Sequence, residues 1–186
     1  MTELCDLAAK YGTDRHPGAK HGYTPFYYGL FKDRRESVKK ILEIGVGEGA
    51  GLRMWQDFFP NAMIYGADND TGRIFKKDRI HVFKCDQSVK EDLKALIELT
   101  GSDLDFVVDD GSHKPEDQVL TCLTLMPHLK KETVYIIEDV LDLGAVQDGL
   151  HEYRCFVPTL VPARRKFNRW GHRYIDRLMV VERKNE

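Results

Sequence analysis

The stretch VVDDGSHKPEDQ (107–118) ends an apolar run in two aspartates, a Gly-Ser turn and a histidine; a later run, TVYIIED (133–139), ends in Glu138 and Asp139. If the two runs are neighbouring parallel strands, their C-terminal ends lie about 4.8 Å apart and Asp110 meets Glu138 and Asp139. Three carboxylates gathered there repel one another and desolvation worsens the conflict, so either one keeps a proton or a cation sits among them. All three are hard oxygen donors with no cysteine in the set, which selects Mg2+, with Mn2+ or Ca2+ as substitutes, over Zn2+. The open coordination positions then suit water or two substrate oxygens, such as neighbouring hydroxyls of a sugar or a catechol. The plainer reading is ordinary helix-capping and crevice carboxylates, a description that fits Asp109 unless it touches a cofactor.

Pro115 suits the first turn of a following helix, which puts His113 in the loop that enters it. A hydroxyl is a poor nucleophile at neutral pH; a divalent cation eases its ionisation and a neutral imidazole can take the proton. His113 is therefore the expected general base, against the bland alternative of a solvated loop histidine.

A second chemical signal is EIGVGEGAG (43–51). A glycine loop between a strand and a helix lets a ligand approach backbone amides at the helix N-terminus. Gly45, Gly47 and Gly49 are the useful glycines, and Asp68 ends the next strand, where a carboxylate can accept hydrogen bonds from both ribose hydroxyls. A nucleoside-bearing cofactor follows. Gly45, Gly47 and Ala50 also satisfy the dinucleotide pattern, but Glu43 ahead of the glycines, the third glycine at 49, and Asp86-Gln87 at the end of the third strand favour S-adenosylmethionine.

These residues need a frame. The runs at 41–45, 63–68, 80–86, 104–110 and 133–139 alternate with helical-period segments, with RLMVVER (177–183) as a last strand and CFVPTLVP (155–162) as another despite its prolines. Val89, Leu93, Leu96 and Ile97 share one helical face, as do Val119, Leu123 and Met126. Such alternation predicts an α/β, doubly wound, mostly parallel Rossmann-like sheet of about seven strands with helices on both faces. The 186 residues suit a single domain. Within it, residues 1–36 form an N-terminal helical segment, with helices at 2–10 and 24–35 joined by the loop YGTDRHPGAKHGYTP, a candidate lid.

Net charge is −2, from 28 basic and 30 acidic residues, so no global field marks a nucleic-acid or membrane binder. Cys5, Cys85, Cys122 and Cys155 are scattered without a C-x-x-C pair, and no cationic leader or long apolar run is visible. A cytoplasmic protein with packing cysteines is expected, Cys122 most clearly. The segment RRKFNRWGHR (164–173) could grip a phosphate or stack on a ring, although such a run is more often a solvated face. The cluster Tyr23, Phe26, Tyr27, Tyr28 and Phe31 reads as helix packing, with Tyr23 the exception.

YGTD (11–14), HGYTPFY (21–27), ILEIGVGEGAGLRMW (41–55), IYGAD (64–68), CDQ (85–87), DDGSH (109–113) and IIED (136–139) together resemble the metal-dependent class I S-adenosylmethionine O-methyltransferases that act on sugar hydroxyls of macrolides and related products. DDGSH followed by IIED is the more specific part of the match. The resemblance implies Mg2+ on Asp110, Glu138 and Asp139, with His113 as base. It also implies S-adenosylmethionine against Glu43, the loop glycines, Asp68, Asp86 and Gln87, with Asp109 nearby and Tyr23 and Thr24 covering it. The acceptor is expected to be a small molecule or glycan carrying a sugar diol; the resemblance does not carry its identity, since this chain is shorter than the macrolide enzymes. Nucleic acid and membrane are not expected partners, and a homo-oligomer is left open. An NAD(P)-dependent oxidoreductase and a non-catalytic nucleoside-binding module are the alternatives.

Overall fold

The computed structural model describes residues 1–164 and 176–184. The apolar runs form the strands β1 (Lys40–Ile44), β2 (Met63–Asp68), β3 (Lys76–Lys77), β4 (Ile80–Lys84), β5 (Phe106–Asp109), β6 (Val134–Ile137), β7 (Tyr153–Phe156) and β8 (Met179–Arg183). They make one sheet in the order β3-β4-β2-β1-β5-β6-β8-β7. The five strands from β4 to β6 are parallel, whereas β3, β8 and β7 add antiparallel edges. The eighth strand, beyond the expected seven, is the two-residue β3. Only Cys155 and Phe156 of the CFVPTLVP run are in a strand, β7, which ends two residues before Pro158, a residue with no N–H for a ladder.

Period-two alternation divides the core between the two faces. Ile41, Ile64, Phe106, Val108 and Ile136 face one side with α1 (Glu3–Tyr11), α2 (Tyr23–Phe31) and α3 (Ala50–Phe58). Leu42, Ile44, Val107, Tyr135 and Ile137 face the other, with α4 (Lys90–Thr100), α5 (Pro115–Leu125) and α6 (Leu143–Gly149). Phe106 is fully buried, its ring 4.9 Å from Phe31, 5.5 Å from Trp55 and 5.7 Å from Tyr27. A buried ring of this kind contributes about 2–3 kcal/mol by transfer alone.

Two helix faces depart from the expectation. Val89 caps α4 instead of packing beneath it, and both Val89 and Leu123 are exposed. The buried face of α5 carries Gln118, Thr121, Cys122 and Leu125, an i, i+3, i+4, i+7 set in which polar residues take core positions. They are buried because they hydrogen-bond to groups at the strand ends: Gln118 Nε2 donates to the Glu138 carbonyl at 3.1 Å, and Thr121 Oγ1 accepts from Gln87 Nε2 at 3.1 Å. Cys122 packs there as a fully buried thiol.

The N-terminal segment is part of this core. Thr2 caps α1, Gly12 ends it at φ 76°, and Leu4, Ala8, Tyr23, Tyr27 and Phe31 are buried. The loop expected as a lid forms a fastened wall: the Lys20 and His21 amides donate to the Asp14 carbonyl, and the Tyr23 and Thr24 amides to that of Arg15. α2 ends at Phe31, short of residue 35. Among the described residues no helix is long and apolar enough to cross a membrane.

Candidate active site

Chain order reverses between β1 and β5, and a cleft of about 980 Å3 opens there beyond the C-terminal ends of the strands. Open α/β sheets bind ligands at this switch point. Its floor is the loop from β1 to α3, where Gly45, Gly47 and Gly49 all have positive φ (83°, 51° and 72°). A Cβ on Gly45 would lie 2.1 Å from the Asp110 carbonyl oxygen, so this glycine lets the β1 and β5 ends close together. A Cβ on Gly47 would meet no atom within 4 Å, so space is open beside this glycine, which lines the cleft.

Asp68 and Asp86 line the cleft at the ends of successive strands. Asp68 already holds the glycine loop, accepting from the Val46 amide at 2.9 Å and the Gly47 amide at 3.3 Å, with Arg73 at 3.3 Å outside it. Burial raises its pKa, but the amides of Asp70 and Val46 and the charge of Arg73 outweigh this and keep it below the ordinary value. Asp86 accepts from the Ser88 amide and hydroxyl, which hold its carboxyl low.

Two of the expected cofactor contacts, Asp109 and Thr24, are buried and do not line the cleft. Asp109 is fully buried; burial raises its pKa to about 7, and its carboxylate accepts from Gln87 Nε2 at 3.1 Å. Gln87 borders the cleft, but its amide is taken up: besides those bonds, its Oε1 accepts from the Ser112 amide at 2.6 Å. Thr24 is buried with its hydroxyl 3.2 Å from Cys5 Sγ. Asp109 and Gln87 shape the DDGSH turn, and Gly111 leaves the room they need, since a Cβ there would lie 1.8 Å from Gln87 Oε1.

Sequence reasoning missed Arg15. From the N-terminal loop its guanidinium reaches the ends of three strands: Nε donates to Glu138 at 2.7 Å, Nη2 to Asp110 Oδ2 at 2.7 Å and Nη1 to Glu43 at 3.3 Å. Burial alone would favour the neutral form, but Glu138, Glu43 and Asp110 outweigh it and keep the group charged. Gly51 makes space, as a Cβ there would lie 2.2 Å from Nη1. Glu43 also accepts from Trp55 Nε1 at 2.6 Å, and Glu138 from the Tyr27 hydroxyl. Burial pushes both glutamates up in pKa, and Arg15 pulls against it.

Of the expected metal ligands, Glu138 accepts from Arg15 and Tyr27. The group the structure assembles is Asp110, His113 and Asp139, with one ligand atom from each and all three within 4.8 Å of one another. His113 Nε2 and Asp110 Oδ1 are hydrogen-bonded at 3.1 Å, and this bond, against burial, raises the imidazole pKa. Asp139 accepts from the Tyr23 hydroxyl, and His21 Nδ1 lies 3.6 Å from its Oδ1. Burial raises the Asp139 pKa while His21 and Tyr23 oppose it. His113 (φ 59°) and Asp139 (φ 50°) both adopt left-handed backbone, a local cost that turns their side chains into the cleft. Two carboxylates and an imidazole are a donor set that fits a hard divalent cation.

No protein-family model matches the chain. It is 35% identical over 145 residues to the mycinamicin VI 2''-O-methyltransferase of Micromonospora griseorubida, covering 74% of this chain and 36% of that protein. It is 33% identical over 144 residues to an 8-demethyl-8-alpha-L-rhamnosyl tetracenomycin-C 2'-O-methyltransferase of Streptomyces olivaceus, covering 74% and 37%. Among solved structures, the MycE methyltransferase of mycinamycin biosynthesis in complex with Mg and SAH superposes with a TM-score of 0.76 at 26% identity, covering 99% of this chain and 55% of that one. Over about three quarters of its length the chain is thus similar to sugar O-methyltransferases. Its sheet and helices are the class I methyltransferase fold, with the glycine loop and the DDGSH turn at the reversal of strand order. The chain spans little more than a third of the length of the curated relatives it matches. The MycE complex with Mg, SAH and mycinamycin VI aligns equally well, at a TM-score of 0.75.

The basic aromatic run 164–173 lies outside the described residues apart from Arg164, which is exposed.

Proposed function

We propose that the chain is an S-adenosylmethionine-dependent, Mg2+-assisted O-methyltransferase acting on a hydroxyl of a sugar diol, carried by a small molecule or a glycan. The observation that carries this reading is the meeting, in one cleft, of a glycine loop and the Asp110, His113 and Asp139 cluster. Gly45, Gly47, Gly49, Asp68 and Asp86 would hold the cofactor, with Glu43 and Tyr23 in the cleft walls. S-adenosylmethionine supplies an electrophilic methyl group. Asp110, Glu138 and Asp139 would hold Mg2+, which lowers the cost of ionising a nearby hydroxyl.

The residues of the chain then have separate tasks. His113, whose Nε2–H donates to Asp110 Oδ1 at 3.1 Å, accepts at its other ring nitrogen the proton released as the acceptor oxygen attacks. Asp110 orients the ring, and Tyr23 fixes Asp139. The remaining catalysis is positioning in a partly enclosed cleft. The test is incubation with methyl-labelled S-adenosylmethionine, Mg2+ and a panel of rhamnosyl and related acceptors: label should move to a sugar oxygen and stop on addition of EDTA. Transfer indifferent to EDTA would remove the metal from the reading, and cofactor binding without transfer to any acceptor would favour a non-catalytic module.

A further inference from the structure

The cleft is lined mostly by charged and polar residues, and its apolar lining residues Tyr23, Ile44, Val46, Ala67 and Cys85 are buried. Among the described lining residues Leu141 differs: it is a large apolar side chain left 49% exposed, two positions after Asp139. A lone leucine on an open surface is ordinary, but this one is fixed on the wall of a polar cleft. Val140 before it is fully buried and its amide donates to the Arg177 carbonyl at 3.4 Å. The Leu141 carbonyl accepts from Arg177 Nη1 at 3.2 Å, and Asp142 after it caps α6 by accepting from the Ala145 amide at 3.0 Å. The place in the sheet also matters. Asp68 and Asp86 stand at the ends of β2 and β4, whereas Leu141 follows β6 on the other side of β1. A cofactor held by those two acids leaves Leu141 to the acceptor.

We propose that Leu141 is a specificity-determining residue: it receives the apolar part of the acceptor, the methyl group and C–H face of a deoxy sugar, while the diol of the same ring turns to the strand-end acids. This rests on the reading of the cleft as that of a sugar O-methyltransferase. A sugar ring carries hydroxyls on one edge and carbon-bound hydrogens elsewhere. In a binding cleft the few polar groups fix orientation and apolar contact supplies affinity, in proportion to the carbon surface taken out of water. A hydroxyl or charge set against Leu141 would lose its water and find no partner among the leucine carbons. The cleft should therefore favour a deoxy sugar over its fully hydroxylated or charged counterpart.

The experiment titrates methyl α-L-rhamnoside and methyl α-L-mannoside, which differ by one hydroxyl, into the full chain with Mg2+ and S-adenosylhomocysteine, read by saturation-transfer NMR. Calorimetry follows S-adenosylhomocysteine alone, and circular dichroism follows folding. The wild type should bind the rhamnoside about threefold or more tightly than the mannoside. Leu141→Asn should stay folded, because the side chain it replaces is exposed, and should bind S-adenosylhomocysteine as the wild type does. Its affinity for the rhamnoside should fall about fivefold, and the preference between the two sugars should shrink. Leu141→Met, which keeps the apolar surface, should restore both. Unchanged rhamnoside affinity in L141N would overturn the proposal, as would a wild type that does not distinguish the two sugars. A loss of S-adenosylhomocysteine affinity in L141N equal to the loss of rhamnoside affinity would put Leu141 on the cofactor side and overturn it too. A wild type that binds S-adenosylhomocysteine but neither glycoside would instead remove the sugar-acceptor reading, and the inference with it.

Discussion

Arg15 Nε and Glu138 Oε2 meet at 2.7 Å although the two residues stand 123 positions apart in the chain, and their side chains are 4% and 1% exposed. This pair joins the N-terminal loop to the end of β6, so the wall of the cleft and the sheet are tied by a buried charge. Removing one member of such a pair strands the other without solvent. Arg15→Met should therefore cost about 3–5 kcal/mol, measured by urea unfolding of the variant against wild type. A loss under about 1 kcal/mol would place the pair with weak exposed bridges instead.

The strand ends were legible in the sequence because their signals are local: apolar runs closed by acids, and a glycine loop between strand and helix. Asp110, His113 and Asp139 converge as the neighbouring-strand argument requires, since β5 and β6 pair in parallel with Asp109 opposite Ile137. The argument also demanded a cation among the acids, but Arg15 is 95 residues from Asp110 in a loop with no periodic pattern to place it. Glu138 and Asp139 read alike in sequence and both line the cleft, but only Asp139 takes the left-handed backbone, while Glu138 is held by Arg15 and Tyr27. Gln118 and Thr121 escaped for a similar reason: an apolarity count ignores polar residues buried by hydrogen bonds.

Gly45 and Gly47 should respond differently to alanine. At Gly45 the new Cβ would overlap the Asp110 carbonyl and take a positive φ, so Gly45→Ala should lose about 3 kcal/mol of stability or more. At Gly47 the same methyl meets open space and adds only the backbone cost, about 1 kcal/mol, yet it protrudes into the cleft. Gly47→Ala should thus remain folded in a thermal melt while its calorimetric affinity for S-adenosylhomocysteine drops. Equal melting losses for the two variants would contradict the geometry.

Asp105 provides a pH test remote from the site. Burial pushes its carboxyl up, but Lys130 and the amides of Lys39 (2.6 Å) and Lys40 (3.0 Å) outweigh this and hold it below its ordinary value of 3.8. A depressed folded-state pKa means the contribution is complete above the ordinary value and is lost as pH falls through the folded one. Asp105→Asn should cost about 1–3 kcal/mol at pH 7, and the gap between variant and wild type should narrow below about pH 4. A gap that stays constant through the acid range in chemical denaturation would show that Asp105 gains nothing from ionisation.

His113 must be replaced without losing its turn, because its φ of 59° suits asparagine better than most residues. His113→Asn should therefore keep the loop and bind S-adenosylhomocysteine as wild type does, since the glycine loop and Asp68 are untouched. The proton acceptor is gone, and methyl transfer to a responsive sugar acceptor should fall by about 100-fold or more, the usual contribution of a positioned base. The fall should appear in kcat. Turnover within about threefold of wild type would assign the proton to another group, and Asp139, whose carboxyl burial already drives upward in pKa, would be the next residue to replace.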